Sequence, residues 1–269
     1  NVMKFTAEWE NLSRLIGYWV DMKRPYITYE NYYIESVWWL LHNLYSQGLI
    51  YKGYTIQPYS PAAGTGLSSH ELNMPGCYRD VKDTTVTAMF RMTSPQGAFK
   101  TDWGETYFMA WTTTPWTLPS NTALCVGPKI DYVLVNTFNP YTAQPISVVM
   151  AEARIASYFN PAGAEAAMEN YEKGGKILPY RVVAHFKGTD LEGLKYEQLF
   201  AYVNPGEGAF RVILGDYVST EDGTGIVHIA PTFGADDAFV AKKAGVPALQ
   251  LIDKNGNKRP MVDLKGRFY

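Results

Sequence analysis

Cysteine is scarce in this chain, with two among 269 residues, Cys77 and Cys125. Two thiols so far apart exclude a disulfide framework and make no zinc site. They point to reducing, cytoplasmic surroundings. Long apolar runs are lacking as well: Val37-Trp38-Trp39-Leu40-Leu41 is broken by His42 and Asn43, far short of the roughly 20 residues a membrane span needs. There is no strong charge of one sign. The 24 Lys+Arg against 26 Asp+Glu leave a net −2, so no global field draws nucleic acid, and any RNA contact has to be local. No internal repeat, low-complexity tract or signal peptide stands out. The first residue is Asn1 rather than Met, and the chain is expected to be a piece of a longer protein.

What is present suffices for a core. With 46% hydrophobic and 19% charged residues, the composition is that of a soluble globular chain forming one large domain or two small ones. Residues 4–20 space Phe5, Trp9, Leu12, Leu15, Ile16 and Trp19 as a helix, with Thr6 as its cap. A second helix is predicted from Thr28 to Gln47, stopped by Gly48. Its rows Tyr33, Val37, Leu40, Leu41, Leu44 and Ile34, Trp38, Tyr45 are expected to face a core. Next come a short strand over 54–57, a turn-rich loop from Pro58 to Gly66, and a surface hairpin around Ser68–Leu72. In that hairpin the adjacent His70 and Glu71 point to opposite faces. Beyond Thr84 the texture changes to strands at 85–91, 106–111, 122–126, 132–136, 145–150, 180–186, 210–214 and 225–229, with short helices near 151–159 and 235–244. Their irregular spacing predicts an α+β fold with a barrel-like or sandwiched sheet rather than a βαβ repeat. The expected division is therefore 1–84, helical, and 85–269, strand-rich. The tail holds Lys254, Lys258, Arg259, Lys265 and Arg267, a basic patch that could meet phosphates or simply form a solvated face.

Two stretches carry chemistry. In Trp111-Thr112-Thr113-Thr114-Pro115-Trp116-Thr117-Leu118-Pro119-Ser120-Asn121, a strand runs into three threonines, and Pro115, with no N–H to donate, ends the ladder. Hydroxyls, an indole and an amide are then presented where backbone groups are free to meet a ligand, although threonines chosen for strand propensity would look the same. The second stretch runs from Glu221 to Asp237. Asp222-Gly223-Thr224-Gly225 makes a turn, and a strand carries His228 on the face opposite Val227 and Ile229. Pro231 ends that strand, and Gly234 introduces a helix with Asp236 and Asp237 in its first turn. Capping accounts for one of these aspartates. The other can look into a cleft, where it would converge with His228; a satisfied, half-buried histidine is the plainer alternative.

Thr-Thr-Thr-Pro-Trp-Thr-Leu-Pro-Ser-Asn and Gly-Thr-Gly-Ile-Val-His-Ile-Ala-Pro-x-Phe-Gly-x-Asp-Asp, in this order and at this separation, resemble the two signatures of the editing (connective-peptide) domain of isoleucyl-tRNA synthetases. Gly17-Tyr18-Trp19-Val20-Asp21 and Tyr29-Glu30-Asn31 resemble the helical segment that precedes it, so the likeness spans nearly the whole chain. Valyl and leucyl relatives resemble Thr-Thr-Arg-Pro-(Glu/Asp)-Thr at the first signature; Thr114 and Trp116 stand there instead and favour the isoleucyl type. The HIGH and KMSKS signatures of ATP binding are absent, so no amino-acid activation or tRNA charging is expected. Where many relatives have a Cys-x-x-Cys zinc knuckle, residues 57–65 offer no cysteine. No metal and no cofactor are expected.

The resemblance implies hydrolysis of valine misattached to the 3′ acceptor end of tRNA(Ile), in company with the remainder of the parent synthetase; a monomer is the default expectation, and the lack of long apolar runs predicts no membrane partner. A hydrophobic pocket gains only about 10- to 200-fold from one methylene, a limit for which the isoleucyl enzymes are themselves the worked case. A second site must then clear the wrong ester. By the same resemblance, Asp237 holds the α-ammonium, His228 lines the side-chain pocket against isoleucine, and Trp116 walls it. Thr112, Thr113 and Thr114 contact ribose and ester and order the attacking water, while Asn121 braces that loop or the adenosine. No covalent nucleophile is implied. The alternatives are an acceptor-end binding module without catalysis, and a valyl-type editor acting on Thr-tRNA.

Overall fold

The computed structural model describes residues 3–53, 55–169 and 171–269. The chain separates into two compact units, up to residue 54 and from Thr55 on.

The first unit holds helices α1 (Thr6–Leu15) and α2 (Asn31–Ser46). Thr6 is the first helical residue rather than the cap, and its hydroxyl donates to Met3 O. Gly48 stops α2 as expected: at φ +70° it lets its own N–H reach Tyr45 O and that of Leu49 reach Leu44 O. The apolar rows differ from expectation. No residue of either helix is buried, and Trp38 and Leu40 are 67% and 55% exposed. Two helices have no further layer to close over these rows, so a periodicity that announces burial finds nothing within the unit to bury against.

In the second unit, β1 (Tyr59–Ser60) and β2 (Thr65–Gly66) form a small hairpin inside the expected loop. Tyr54, first residue of the expected strand over 54–57, lies outside the described residues, and 55–57 are irregular. Ser69–Leu72 is a helical turn, α3, where a hairpin was expected. A capping box decides it: Ser68 Oγ accepts from Glu71 N–H while the Glu71 carboxylate accepts from Ser68 N–H.

The body of this unit is one sheet built from β3 (Val86–Arg91), β4 (Glu105–Thr112), β5 (Ala123–Val126), β6 (Asp131–Phe138), β7 (Pro145–Ala151), β8 (Arg181–Lys187), β9 (Arg211–Leu214) and β10 (Ile226–Ile229). All eight coincide within a residue or two with the strands read from sequence. The short helices are α4 (Ile155–Tyr158), α5 (Gly188–Leu191) and α6 (Ala235–Ala244), and a last ribbon pairs β11 (Leu251–Ile252) with β12 (Lys258–Arg259).

Strand β4 is the hub. One edge pairs antiparallel with β3 along its length. The other edge is shared: residues 105–108 pair parallel with β7, and Trp111 pairs parallel with Val227 of β10. The sheet divides there into an arm β7-β6-β8 and an arm β10-β5-β9. The second arm curls back, since Lys195 bridges Arg211 and Tyr196 bridges Met92 just past β3. A strap at residues 193–197 thereby closes β3, β4, β10, β5 and β9 into a barrel. Its interior is filled by Phe90, Phe108, Leu124 and Ile226, each at most 2% exposed. Outside, α6 covers Ala123, Cys125, Ile213 and Ile229 with Ala241. The strict alternation in β4, buried at every second residue, is the sequence's period-2 pattern realised.

One close approach pins the arm of β6 and β8. A Cβ at Gly188 would lie 1.9 Å from Gly127 O, which is backbone and cannot yield. The Gly188→Ala variant is expected to lose about 2–3 kcal/mol, read as a lower urea midpoint with unchanged slope.

Of the basic tail, Arg259 pairs with Asp253 at 2.6 Å and Arg267 with Asp263 at 3.2 Å. Two of its five cations are therefore compensated locally.

Candidate active site

Because β4 and β10 run parallel, their carboxyl ends open on the same side, and the loops leaving them diverge. Between these loops lies a cavity of about 370 Å³, the size of a small-molecule site. Thr112, Thr113, Thr114 and Trp116 border it from the β4 side. Val227, His228, Ala230, Phe233, Gly234 and Asp237 do so from the β10 side.

On the β4 side the strand ends at Thr112, whose Oγ1 accepts from Thr114 N–H at 3.1 Å. Pro115 then starts a 3-10 turn, Pro115–Ser120. The Thr114 carbonyl is held twice, by the N–H of Thr117 at 3.1 Å and by its hydroxyl at 2.9 Å. Thr112 is buried, whereas Thr113 and Thr114 are exposed at the cavity. Trp116, 48% exposed, meets Phe233 edge to face at 4.8 Å, and the two rings form an aromatic wall.

His228 is buried, and both its nitrogens are occupied. Asn121 Nδ2, which also donates to Ala123 O at 2.8 Å, donates to His228 Nδ1 at 2.9 Å. A nitrogen that accepts carries no proton, so the proton sits on Nε2 and points to Thr117 Oγ1, 2.9 Å away. Burial lowers the imidazole to about 4, because a charged ring would have to leave water. His228 is therefore neutral, with no lone pair free to take a proton from water. Asn121 does not reach the cavity; it lies behind the ring.

Asp237 occupies the first turn of α6. Its Oδ2 accepts from Ala230 N–H at 2.8 Å, which ties the helix start to the end of β10. Glycine at 234 leaves room for this fold-back, since a Cβ there would sit 2.7 Å from the Asp237 carboxyl carbon and displace the carboxylate. Burial raises the carboxyl above the ordinary aspartate range, the Ala230 N–H partly opposes this, and Asp236 adds to it. No Lys or Arg borders the cavity, and among the described residues Asp237 makes no ion pair. Asp236 faces solvent.

Thus the fold brings together six of the seven residues singled out in the sequence: Thr112, Thr113, Thr114, Trp116, His228 and Asp237. Asn121 stands behind them. Sequence reasoning passed over Phe233 and Thr117, both inside the two motifs and legible there as an aromatic and a hydroxyl. No group of His, Cys, Asp and Glu suited to a metal ion occurs among the described residues, and none of their helices is long and apolar enough to cross a membrane.

The barrel thus carries a cavity between two diverging loops, with an isolated carboxylate, a neutral histidine and a run of threonines, and comparison with known proteins gives the family of the chain. It belongs to the class I tRNA synthetases (I, L, M and V), whose family profile matches residues 1–242. Within that family it is similar to the isoleucine–tRNA ligases of Bacteroides fragilis, 70% identical over 269 residues, and of Porphyromonas gingivalis, 65% identical over 270. Each match takes in all of this chain, which spans 24% of those relatives' length. The Treponema denticola ligase is 42% identical over 94% of the chain and 23% of its own length. A solved editing domain, from the Plasmodium falciparum cytosolic leucyl-tRNA synthetase, has a TM-score of 0.40 at 17% identity over 54% of this chain and 49% of that one.

Proposed function

We propose that this chain is the editing region of an isoleucyl-tRNA synthetase and hydrolyses valine misattached to tRNA(Ile), without charging tRNA itself. The observation that carries this reading is the unneutralised carboxylate of Asp237, set in a cavity with an aromatic and aliphatic wall on one side and threonine hydroxyls on the other. A lone, half-buried anion calls for a cation. An aminoacyl ester supplies an ammonium, a small apolar side chain and a ribose with hydroxyls, one for each part of the cavity.

In this reading Asp237 takes the α-ammonium in a charge-assisted hydrogen bond, which favours its ionised form. A carboxylate so engaged is no general base. His228 is none either, since both nitrogens are bonded; its ring limits the length of side chain admitted, with Trp116 and Phe233 as the neighbouring wall. Thr113 and Thr114 order water and ribose at the ester carbon, and Thr112 holds their loop. The rate then comes from positioning and from dipoles aimed at the developing oxyanion. The partner is the 3′ acceptor end of the tRNA, delivered in the intact synthetase.

Incubating the chain with Val-tRNA(Ile) and Ile-tRNA(Ile) tests this directly. The valyl ester is expected to be lost at least 10-fold faster than the isoleucyl ester, the discrimination that one methylene supports. Loss of both at the rate seen in buffer would leave an acceptor-end binding module in place of a hydrolase.

A further inference from the structure

Tyr196 lies outside both motifs and borders no part of the cavity. It sits in the strap that closes the barrel, with its ring edge to face against Phe90 at 5.2 Å and Phe210 at 6.0 Å. Phe210 holds a left-handed backbone, φ +57°, uncommon for an aromatic residue. In that conformation its N–H reaches Thr122 O at 2.7 Å and its C=O accepts from Tyr196 N–H at 3.0 Å. Strained backbone of this kind persists where the surroundings require it, and here it seats Tyr196. The phenol, fully enclosed and held well above its usual range by burial, stays protonated. Its hydroxyl donates to Asn121 Oδ1 at 2.6 Å.

An amide has one accepting and one donating end. The Ala123 carbonyl, which can only accept, rejects the reversed amide, and the Tyr196 hydroxyl, donating to Oδ1, holds the amide in the remaining orientation, which presents N–H to His228 Nδ1. We propose that Tyr196 is a positioning residue of the editing site: by anchoring Asn121 it holds His228 in the Nε2–H form, whose proton engages Thr117 and so leaves the Thr117 hydroxyl to hold the Thr114 carbonyl. A five-residue relay then runs from the barrel interior to the threonine loop. Were the amide reversed, His228 would carry its proton on Nδ1, Nε2 would demand the Thr117 proton, and the Thr114 carbonyl would lose one of its two ties. The inference rests on the deacylase reading for its consequence in turnover, but not for the tautomer.

The tautomer of His228 is read from long-range ¹H–¹⁵N correlations of the imidazole nitrogens, in the chain as it stands and in the Tyr196→Phe, Asn121→Asp and Thr117→Val variants, beside deacylation of Val-tRNA(Ile). The parent chain is expected to show His228 protonated on Nε2 alone. Tyr196→Phe is expected to populate both tautomers and to lower kcat about 10-fold with KM little changed, the worth of one positioning hydrogen bond. Asn121→Asp, which cannot donate, should place the proton on Nδ1, and this holds as an independent check if Tyr196→Phe does not fold. Thr117→Val, which breaks the relay beyond the histidine, should lower kcat similarly. A parent chain protonated on Nδ1 overturns the assignment. So does a Tyr196→Phe chain with unchanged tautomer and kcat, and that result leaves the deacylase reading standing. Tautomers that respond in a chain cleaving neither ester would remove the deacylase reading while keeping Tyr196 as the residue that orients His228.

Discussion

The Asp237→Asn variant is expected to cleave the valyl ester with kcat/KM lower by about 10- to 100-fold, the worth of a charge-assisted hydrogen bond of roughly 1.5–3 kcal/mol. Asn keeps the shape and can still accept from Ala230 N–H, so the start of α6 survives and the loss reports the charge. The pH profile separates this from a general disturbance. Asp237 is raised above the ordinary aspartate range by burial, and only its ionised form pairs with an ammonium. As pH falls, kcat/KM should therefore decline at a higher pH than an ordinary aspartate would give, and Asp237→Asn should lack that limb. Stability should move oppositely. A carboxyl whose folded pKa exceeds its unfolded value weakens the fold above that range, where folding keeps the charge in a less favourable place. Removing the charge should then raise Tm at neutral pH, the mark of a group retained for binding at a cost in stability. Equal kcat/KM profiles for parent and variant would remove Asp237 from substrate recognition.

His228→Ala carries the second large effect, on selectivity. Deleting the ring enlarges the cavity where a side chain longer than valine would lie. The ratio of valyl to isoleucyl cleavage is expected to fall roughly 10-fold or more, on the scale of one methylene in an apolar pocket. Asn121 and Thr117 would also each lose a buried partner, at about 1–3 kcal/mol each. His228→Gln, which can both donate and accept, is the control that restores bonding with a different outline. The histidine has its own pH signature. Its folded pKa of about 4 lies below the ordinary 6.5, so the unfolded chain binds the proton first. The neutral ring therefore imposes no penalty above about pH 6.5, and stability is lost as pH falls from there towards 4, by on the order of 3 kcal/mol. Urea titrations between pH 4 and 7 should show this slope in the parent chain and a shallower one in His228→Gln. An unchanged ester ratio in both variants would show that the ring excludes nothing.

Much of this was legible without coordinates. The eight strands of the main sheet follow from alternation and β-branched residues, which act over a few neighbours. The ends of β4 and β10 follow from Pro115 and Pro231, because a residue without an N–H cannot extend a ladder. All seven candidate site residues were named from two motifs and their family resemblance, and six of them border the cavity, since each motif is a strand end followed by a loop, and such a place is where backbone and side chains are free to meet a ligand. The misread stretches were of another kind. Ser68–Leu72 was decided by a side-chain–backbone exchange that carries no periodicity. The apolar rows of α2 promised burial, and what covers a helix face is settled by neighbouring layers rather than by the helix.

Only the tertiary structure decided that Thr117 and His228, 111 residues apart, share a hydrogen bond, that β10 lies parallel to β4 with Val227 beside Trp111, and that Tyr196 stands behind Asn121. Strand order and register come from which faces must be buried together once the chain collapses, a property of the whole set of strands. The sequence by itself determined the elements and the chemistry each can present. Their convergence on one cavity was decided by the pairing of β10 alongside β4, because two parallel neighbours, however distant in sequence, end on the same side of the sheet and send their loops to the same mouth.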